Sequence, residues 1–377
     1  MIKGLKTLVL ALLLPTTLVS AQVVINVSGA QRVARPIAIL PISGDPGVQM
    51  DFIIASDLHK TGLFQPLAPE SFAAMRPNSP QEIDYAAWQA LGADYLVLGR
   101  MLGNNIAGQF VLSDVPVANV LANEAVNARD ARQVAHRMAD KILERLTGVQ
   151  GSFATQLAYV LEKDLGHARQ YSLVISDIDG ANRREIFTHN QPILSPAWSP
   201  DGRQIAFATF NNHRAQIVIQ DVASGAQRVV VQGDGISGAP AFSPDGRALA
   251  YVQSHDSNPD IYVMNLASGA VSRITQHAGI DTEPTFSPDG RSIYFTSDRA
   301  GKPQIYRRDI NGGAERAVVG NGYQANGDLS PDGQSMVLTR QSGGGFQIGL
   351  YDLASGRFET LTSGSLDEGA SFSPNGR

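Results

Sequence analysis

The sequence predicts two parts, a small N-terminal α/β domain followed by a six-bladed β-propeller with a truncated last blade. Three observations predict it. A Ser-Pro-Asp-Gly word recurs in AWSPDGR, AFSPDGR, TFSPDGR and DLSPDGQ and ends as SFSPNGR, its serines at 199, 243, 287, 330 and 373. A second word keeps the same period of 43 or 44 residues: LVISDID, IVIQDVASG, IYVMNLASG, IYRRDINGG and IGLYDLASG. Before Gly148 neither word occurs, and strand-like and helix-like segments alternate instead.

The repeat explains itself physically. In each word Pro fixes φ at the second position of a type I turn, Asp tolerates the third and Gly suits the fourth. A short exit strand such as RVVVQ (Arg228–Gln232) or SRITQ (Ser272–Gln276) follows the second word, so a period holds four strands and no helix. Four strands in 40–50 residues are the mark of a propeller blade. Asp201, Asp245, Asp289 and Asp332 therefore read as turn residues. Leu157–Val160 matches a second strand, with Gly151–Ala154 in place of its first strand and turn. Ser371–Arg377 supplies a first strand and turn with no second. We expect this unfinished blade to leave a gap and an exposed edge.

In the first part, Val23–Val27 and Pro36–Ile42 are β-branched and read as strands. Val48–Thr61 has helical spacing at Phe52, Ile53, Ala55 and Leu58, and Gly62 stops it. Ser79 and Pro80 predict a cap and first position for a helix running through Trp88 and Leu91. Ala93–Gly99 and Gln109–Val115 return to strand. Arg129–Leu146 carries Val134, Met138, Ile142 and Leu146 on one face and ends at Gly148. The expected division is 1–21, 22–147 and 148–377.

Residues 1–21 read as a secretory signal, with Lys3 and Lys6, an apolar run and Ser20-Ala21 as the cleavage site. Net charge is −5, or −7 without those two lysines, and no basic cluster invites nucleic acid. There is no cysteine, which excludes disulfides, thiolate metal sites and a Cys nucleophile. The seven histidines are scattered, and no nucleophile elbow, zinc pair, Walker loop or dinucleotide fingerprint occurs. Ser342–Gly345 reads as a hairpin. These residues point to binding, not catalysis, with no cofactor and no metal.

Binding residues are expected just before each first strand: Leu194–Pro196, Gly238–Pro240, Thr282–Pro284, Ala325–Gly327 and Asp367–Gly369. Glu283 and Glu368 stand out there as acids able to receive basic groups. Trp198 reads as blade core beside Phe242 and Phe286. The segment Gln22-Val23-Val24-Ile25-Asn26-Val27-Ser28-Gly29 is strand-forming, able to join its own sheet or add to a partner's edge.

The whole pattern resembles the TolB family of Tol–Pal envelope systems. Carrying the likeness are the leader, VVINVSGAQRVARPIAILPISGD, LGADYLVLGR, KILERLTGVQGSFATQLAYV and the words LSPAWSPDGR and GAPAFSPDGR. The resemblance implies a non-enzymatic, monomeric periplasmic adaptor serving outer-membrane integrity and constriction at division. It implies Pal, the peptidoglycan-associated lipoprotein, on the propeller's channel face at Ile236, Ala239, Thr282 and Glu283, with Glu368 on the same rim. It implies TolA on Gln22–Gly29, coupled to Pal binding, and further outer-membrane lipoproteins or porins as partners. The alternative from the residues is a propeller holding a small ligand or metal in its channel.

Overall fold

The structure is a computed structural model and describes residues 33–103, 106–255, 258–319 and 322–376. The expected leader and the segment Gln22–Gly29 lie outside the described residues.

The first part is a five-stranded sheet between two layers of helix. In chain order it holds β1 (Arg35–Ile39), α1 (Met50–Lys60), β2 (Phe64–Pro66), α2 (Tyr85–Ala90), β3 (Tyr95–Met101), β4 (Ala107–Asp114), β5 (Asn119–Asn127) and α3 (Ala131–Thr147). The sheet order is β2-β1-β3-β4-β5, with β1 parallel to both neighbours and the β3-β4-β5 meander antiparallel. α1 and α3 bury Ile54, Leu58, Val134, Met138 and Ile142 against Ile37, Phe110 and Leu112. Trp88 of α2 packs with Phe72 on Ala38, Leu96 and Leu98 of the other face. Each such side chain contributes about 1.5–3 kcal/mol of burial.

α3 follows its sequence closely. Asp130 caps it by accepting from Gln133 N–H at 2.9 Å, and Gly148 closes it at φ 73°. α1 differs from expectation at both its start and its face. Asp45 takes the N–H groups of Gly47, Val48 and Met50 (2.9–3.0 Å), so the helix begins at Met50. Its buried stripe is Met50, Ile53, Ile54, Asp57 and Leu58, which turns Phe52 outward at 68% exposure. The helix expected from Ser79 divides in two. Pro80–Glu82 is a 3₁₀ turn in which Ser79 makes no capping bond, and α2 starts only after Asp84, which accepts from Ala87 N–H at 3.1 Å.

The second part is built of antiparallel blades. β6 (Gln156–Asp164), β7 (Arg169–Asp177) and β8 (Arg184–His189) form a three-stranded first blade. Four-stranded sheets follow, their first strands at Leu194–Trp198, Ser237–Phe242, Asp281–Phe286 and Gln324–Leu329. Apolar side chains from successive blades close on one another, Phe187 of the first on Phe207 of the second, for example. Trp198, Phe242 and Phe286 lie in these seams.

The repeated word folds the same way each time. Ser199 Oγ donates to Asp201 Oδ1 (2.6 Å) and accepts from Gln204 N–H (2.9 Å), while Gly202 adopts φ 68° and its N–H reaches the Ser199 carbonyl (2.9 Å). The serine hydroxyl, then the following backbone N–H, holds Asp201, Asp245, Asp289 and Asp332 below the usual carboxylate range. Successive turns lie in a row: Gly246 faces Pro200, Gly290 faces Pro244, Gly333 faces Pro288 and Gly376 faces Pro331. Gly343 and Gly344, both at positive φ, make a two-residue hairpin between Ser342 and Gly345.

Five blade sheets form among the described residues, where six are expected. Ser371–Gly376 takes its place in the row of turns but forms no strand, since no second strand lies beside it. It is held instead by Phe372 N–H on Asp328 (2.8 Å) and Asn375 on the Gln150 carbonyl (2.7 Å).

Candidate partner-binding rim

The end of the blades where first strands begin is built to one plan. Each first strand carries a bulge against its second strand. At each bulge one residue is left-handed: Ser195 (φ 49°), Ala239 (46°), Glu283 (54°), Asn326 (53°) and, in the following period, Gly369 (71°). A side chain in this region costs about 1–2 kcal/mol where Gly costs little. The ring thus stores strain at the same step of four blades, as binding surfaces commonly do.

One residue before three of the first strands stand the apolar side chains of Ile236, Ile280 and Tyr323, with Leu366 at the same step of the following period. Ile236 is 58% exposed, Ile280 49% and Leu366 78%, with Tyr323 half-buried on Phe346. They are pinned by backbone. Ile236 N–H donates to Ser254 Oγ (2.8 Å) and Ile280 N–H to Asp298 Oδ1 (2.7 Å), while the Tyr323 carbonyl accepts from Gln341 N–H (3.2 Å). Repeated apolar groups on a fixed backbone make a surface that a protein partner can cover.

The acids among the predicted residues have different surroundings. Glu283 Oε2 accepts from Thr296 Oγ1 (2.6 Å) and from Asn326 N–H (2.8 Å), bridging the fourth blade to the fifth. Glu368 is exposed. Both face Tyr323, whose hydroxyl is pushed up by burial and further by these two carboxylates. Glu283, Glu368 and Tyr323 thus come together, whereas Ile236 and Ala239 stand three periods before Glu368. Ala239 and Thr282 are half-buried within their strands. Sequence reasoning missed Ile280, Tyr323 and Leu366. Their signal was the same 43-to-44-residue step that located the turns.

A group with cation-site spacing, His136, Asp177 and Asp179, lies away from this rim at the seam between α3 and the first blade. Its carboxylates are already taken by Arg129, Arg132, Gln133 and Asn182. It therefore reads as an ion-pair network.

Comparison with known proteins decides the family. The TolB β-propeller domain model matches residues 143–377, and the TolB amino-terminal domain model matches 23–121. The chain belongs to the TolB family. Curated relatives include the Tol-Pal system protein TolB of Methylococcus capsulatus, 44% identical over 215 residues that cover 55% of this chain and 50% of that protein. The protein of the same description from Nitrosococcus oceani is 39% identical over 211 residues, covering 54% and 48%. The aligned stretch thus spans about half the length of these curated relatives. The crystal structure of TolB from Acinetobacter baumannii superposes with a TM-score of 0.81 at 37% identity, covering 92% of this chain and 87% of that one.

Proposed function

We propose that this TolB-family chain is a non-enzymatic periplasmic adaptor of a Tol–Pal system. Its rim receives Pal and its segment Gln22–Gly29 receives TolA, supporting outer-membrane integrity and constriction at division. The observation that carries the reading is the rim itself, with exposed Ile236, Ile280 and Leu366 at one register and a left-handed residue at the next bulge. Large exposed apolar side chains repeated around a rigid frame serve a protein contact better than a small-molecule one, which calls for an enclosed pocket. We also propose the division 1–21, 22–147 and 148–377; the end of α3 at Thr147 supports its second boundary.

The test is capture of purified soluble Pal and of TolA's periplasmic domain by the immobilised chain. Ile236→Glu together with Leu366→Glu should abolish Pal capture and leave TolA capture intact. Deletion of residues 22–29 should do the reverse to TolA. Pal capture unaffected by the double rim variant would overturn the assignment of that face.

A further inference from the structure

The sheet face beneath α2 changes character along β3. Leu96 and Leu98, with Val111 and Val115 beside them, are buried under Trp88 and Phe72. Beyond Leu98, toward the carboxyl end of β3, the same face carries Arg100, paired across to Gln109 of β4. The loops leaving β1 and β3 part here, one to α1 on the far face and the other into the hairpin with β4. In sheets with parallel strands, crevices at such points are where ligands bind. A hollow of about 410 Å³ occupies this place, within the size range of small-molecule sites. Leu40, Leu98 and Val111 lie against it from the sheet, and residues 76–80 line it from the loop before α2.

The polar groups on the sheet side form a row with one direction. Arg100 Nε and Nη2 both donate to Gln109 Oε1 (3.0 and 2.6 Å), and Gln109 Nε2 donates to Asn123 Oδ1 (2.6 Å). The Gln109 oxygen has both lone pairs filled, so what the row has left is mainly N–H, at Arg100 Nη1 and Asn123 Nδ2. On the loop side Arg76 is tied by its Nε alone, to the Ala73 carbonyl of its own turn (3.2 Å). No acid lines the hollow, and among the described residues neither arginine forms an ion pair. The loop's own carboxylate, Glu82, is already taken. The Asn78 N–H (2.9 Å), with Ser79 Oγ and Asn78 Nδ2, holds it below the usual carboxylate range.

Two guanidinium groups without counter-ions, beside amide N–H groups without acceptors, suit an oxyanion. Around them Asn78 Oδ1 and the hydroxyls of Ser43 and Ser79 can accept from hydroxyl groups of the same molecule. We propose that this hollow binds a small hydroxylated molecule bearing a carboxylate or phosphate group, with Arg76 and Arg100 holding the anion and Asn78 and Asn123 the frame. The site lies on the sheet face opposite α1 and α3, and the proposal does not depend on which partners the rim takes.

Nuclear magnetic resonance titration of the whole chain tests it, with glucuronate, inositol monophosphate and neutral inositol added at constant ionic strength. Backbone amides of Arg76, Asn78, Ser79 and Arg100, and the side-chain amides of Gln109 and Asn123, should shift saturably with at least one of the two anions. Saturation by glucuronate alone identifies the group as a carboxylate, by inositol monophosphate alone as a phosphate, and by both as the oxyanion they share. Neutral inositol should bind at least about ten-fold more weakly, the equivalent of one lost bond to a charged group. Arg76→Ala should weaken the anion by about the same factor. That side chain bonds only within its own turn, so the variant should melt with the wild type. Arg100→Ala should weaken the anion likewise. Three results would overturn the site: no saturable shift with either anion, inositol binding as tightly as the anions, or unchanged affinity in both arginine variants.

Discussion

Two features of the blades share one period and teach opposite lessons. The turns repeat both backbone and residues, with Ser bonded to Asp in four copies and to Asn375 in the fifth, and Gly at positive φ in all five. The bulges repeat only the backbone. Their left-handed residue is Ser195, then Ala239, Glu283 and Asn326, and the side chain changes while φ stays near 50°. Repetition of residues marks architecture, because the same local bonds must form each time. Repetition of a strained backbone under changing side chains marks a surface free to be adapted.

Glu283 is a bulge residue that also bonds one blade to the next, so it should show the largest effect. Glu283→Ala removes the acceptor for Asn326 N–H and Thr296 Oγ1, and a lost bond to a charged group costs about 1.5–3 kcal/mol. Urea unfolding should show that loss. A value near zero would make Glu283 a pure surface residue.

A smaller effect is expected in the turns. Ser243→Ala deprives Ala248 N–H and Asp245 of their partner and should cost about 1 kcal/mol by the same measurement, with Pal capture unchanged. The turn carboxylates also set a pH dependence. Their folded values are depressed, so their contribution is present above the ordinary carboxylate value and is lost as pH falls. Asp201→Asn with Asp245→Asn should flatten the acid limb of stability against pH, read by circular dichroism.

The smallest effect has the opposite sign. Ala239→Gly relieves a left-handed Ala at the expense of a more flexible unfolded chain, for a net gain of about 0.5 kcal/mol. Thermal melting should rise slightly. A fall would mean that the bulge carries no strain.

Much of the fold was legible because it rests on local chemistry. The period, the Ser-Pro-Asp-Gly turns and the α3 stripe of Val134, Met138 and Ile142 follow from side chains within a few residues of one another. What was not legible depends on distant groups. Phe52 points outward because Ile54 and Leu58 take the core face of α1, and the edge strand β5 turns only Ala122 and Val126 fully inward. Before a proline the backbone is ordinarily extended, so the left-handed Ser195, Ala239 and Glu283, each followed by Pro, could not be anticipated. His136 looked isolated in the sequence, since its partners Asp57 and Asp179 stand 79 and 43 residues away.

The most direct test of the central claim is calorimetric titration of soluble Pal into the folded chain, comparing Ile236→Glu with Asp201→Asn. The account predicts that the rim variant loses measurable binding while the turn variant keeps the wild-type affinity. Equal binding by both, or loss in the turn variant alone, would contradict it.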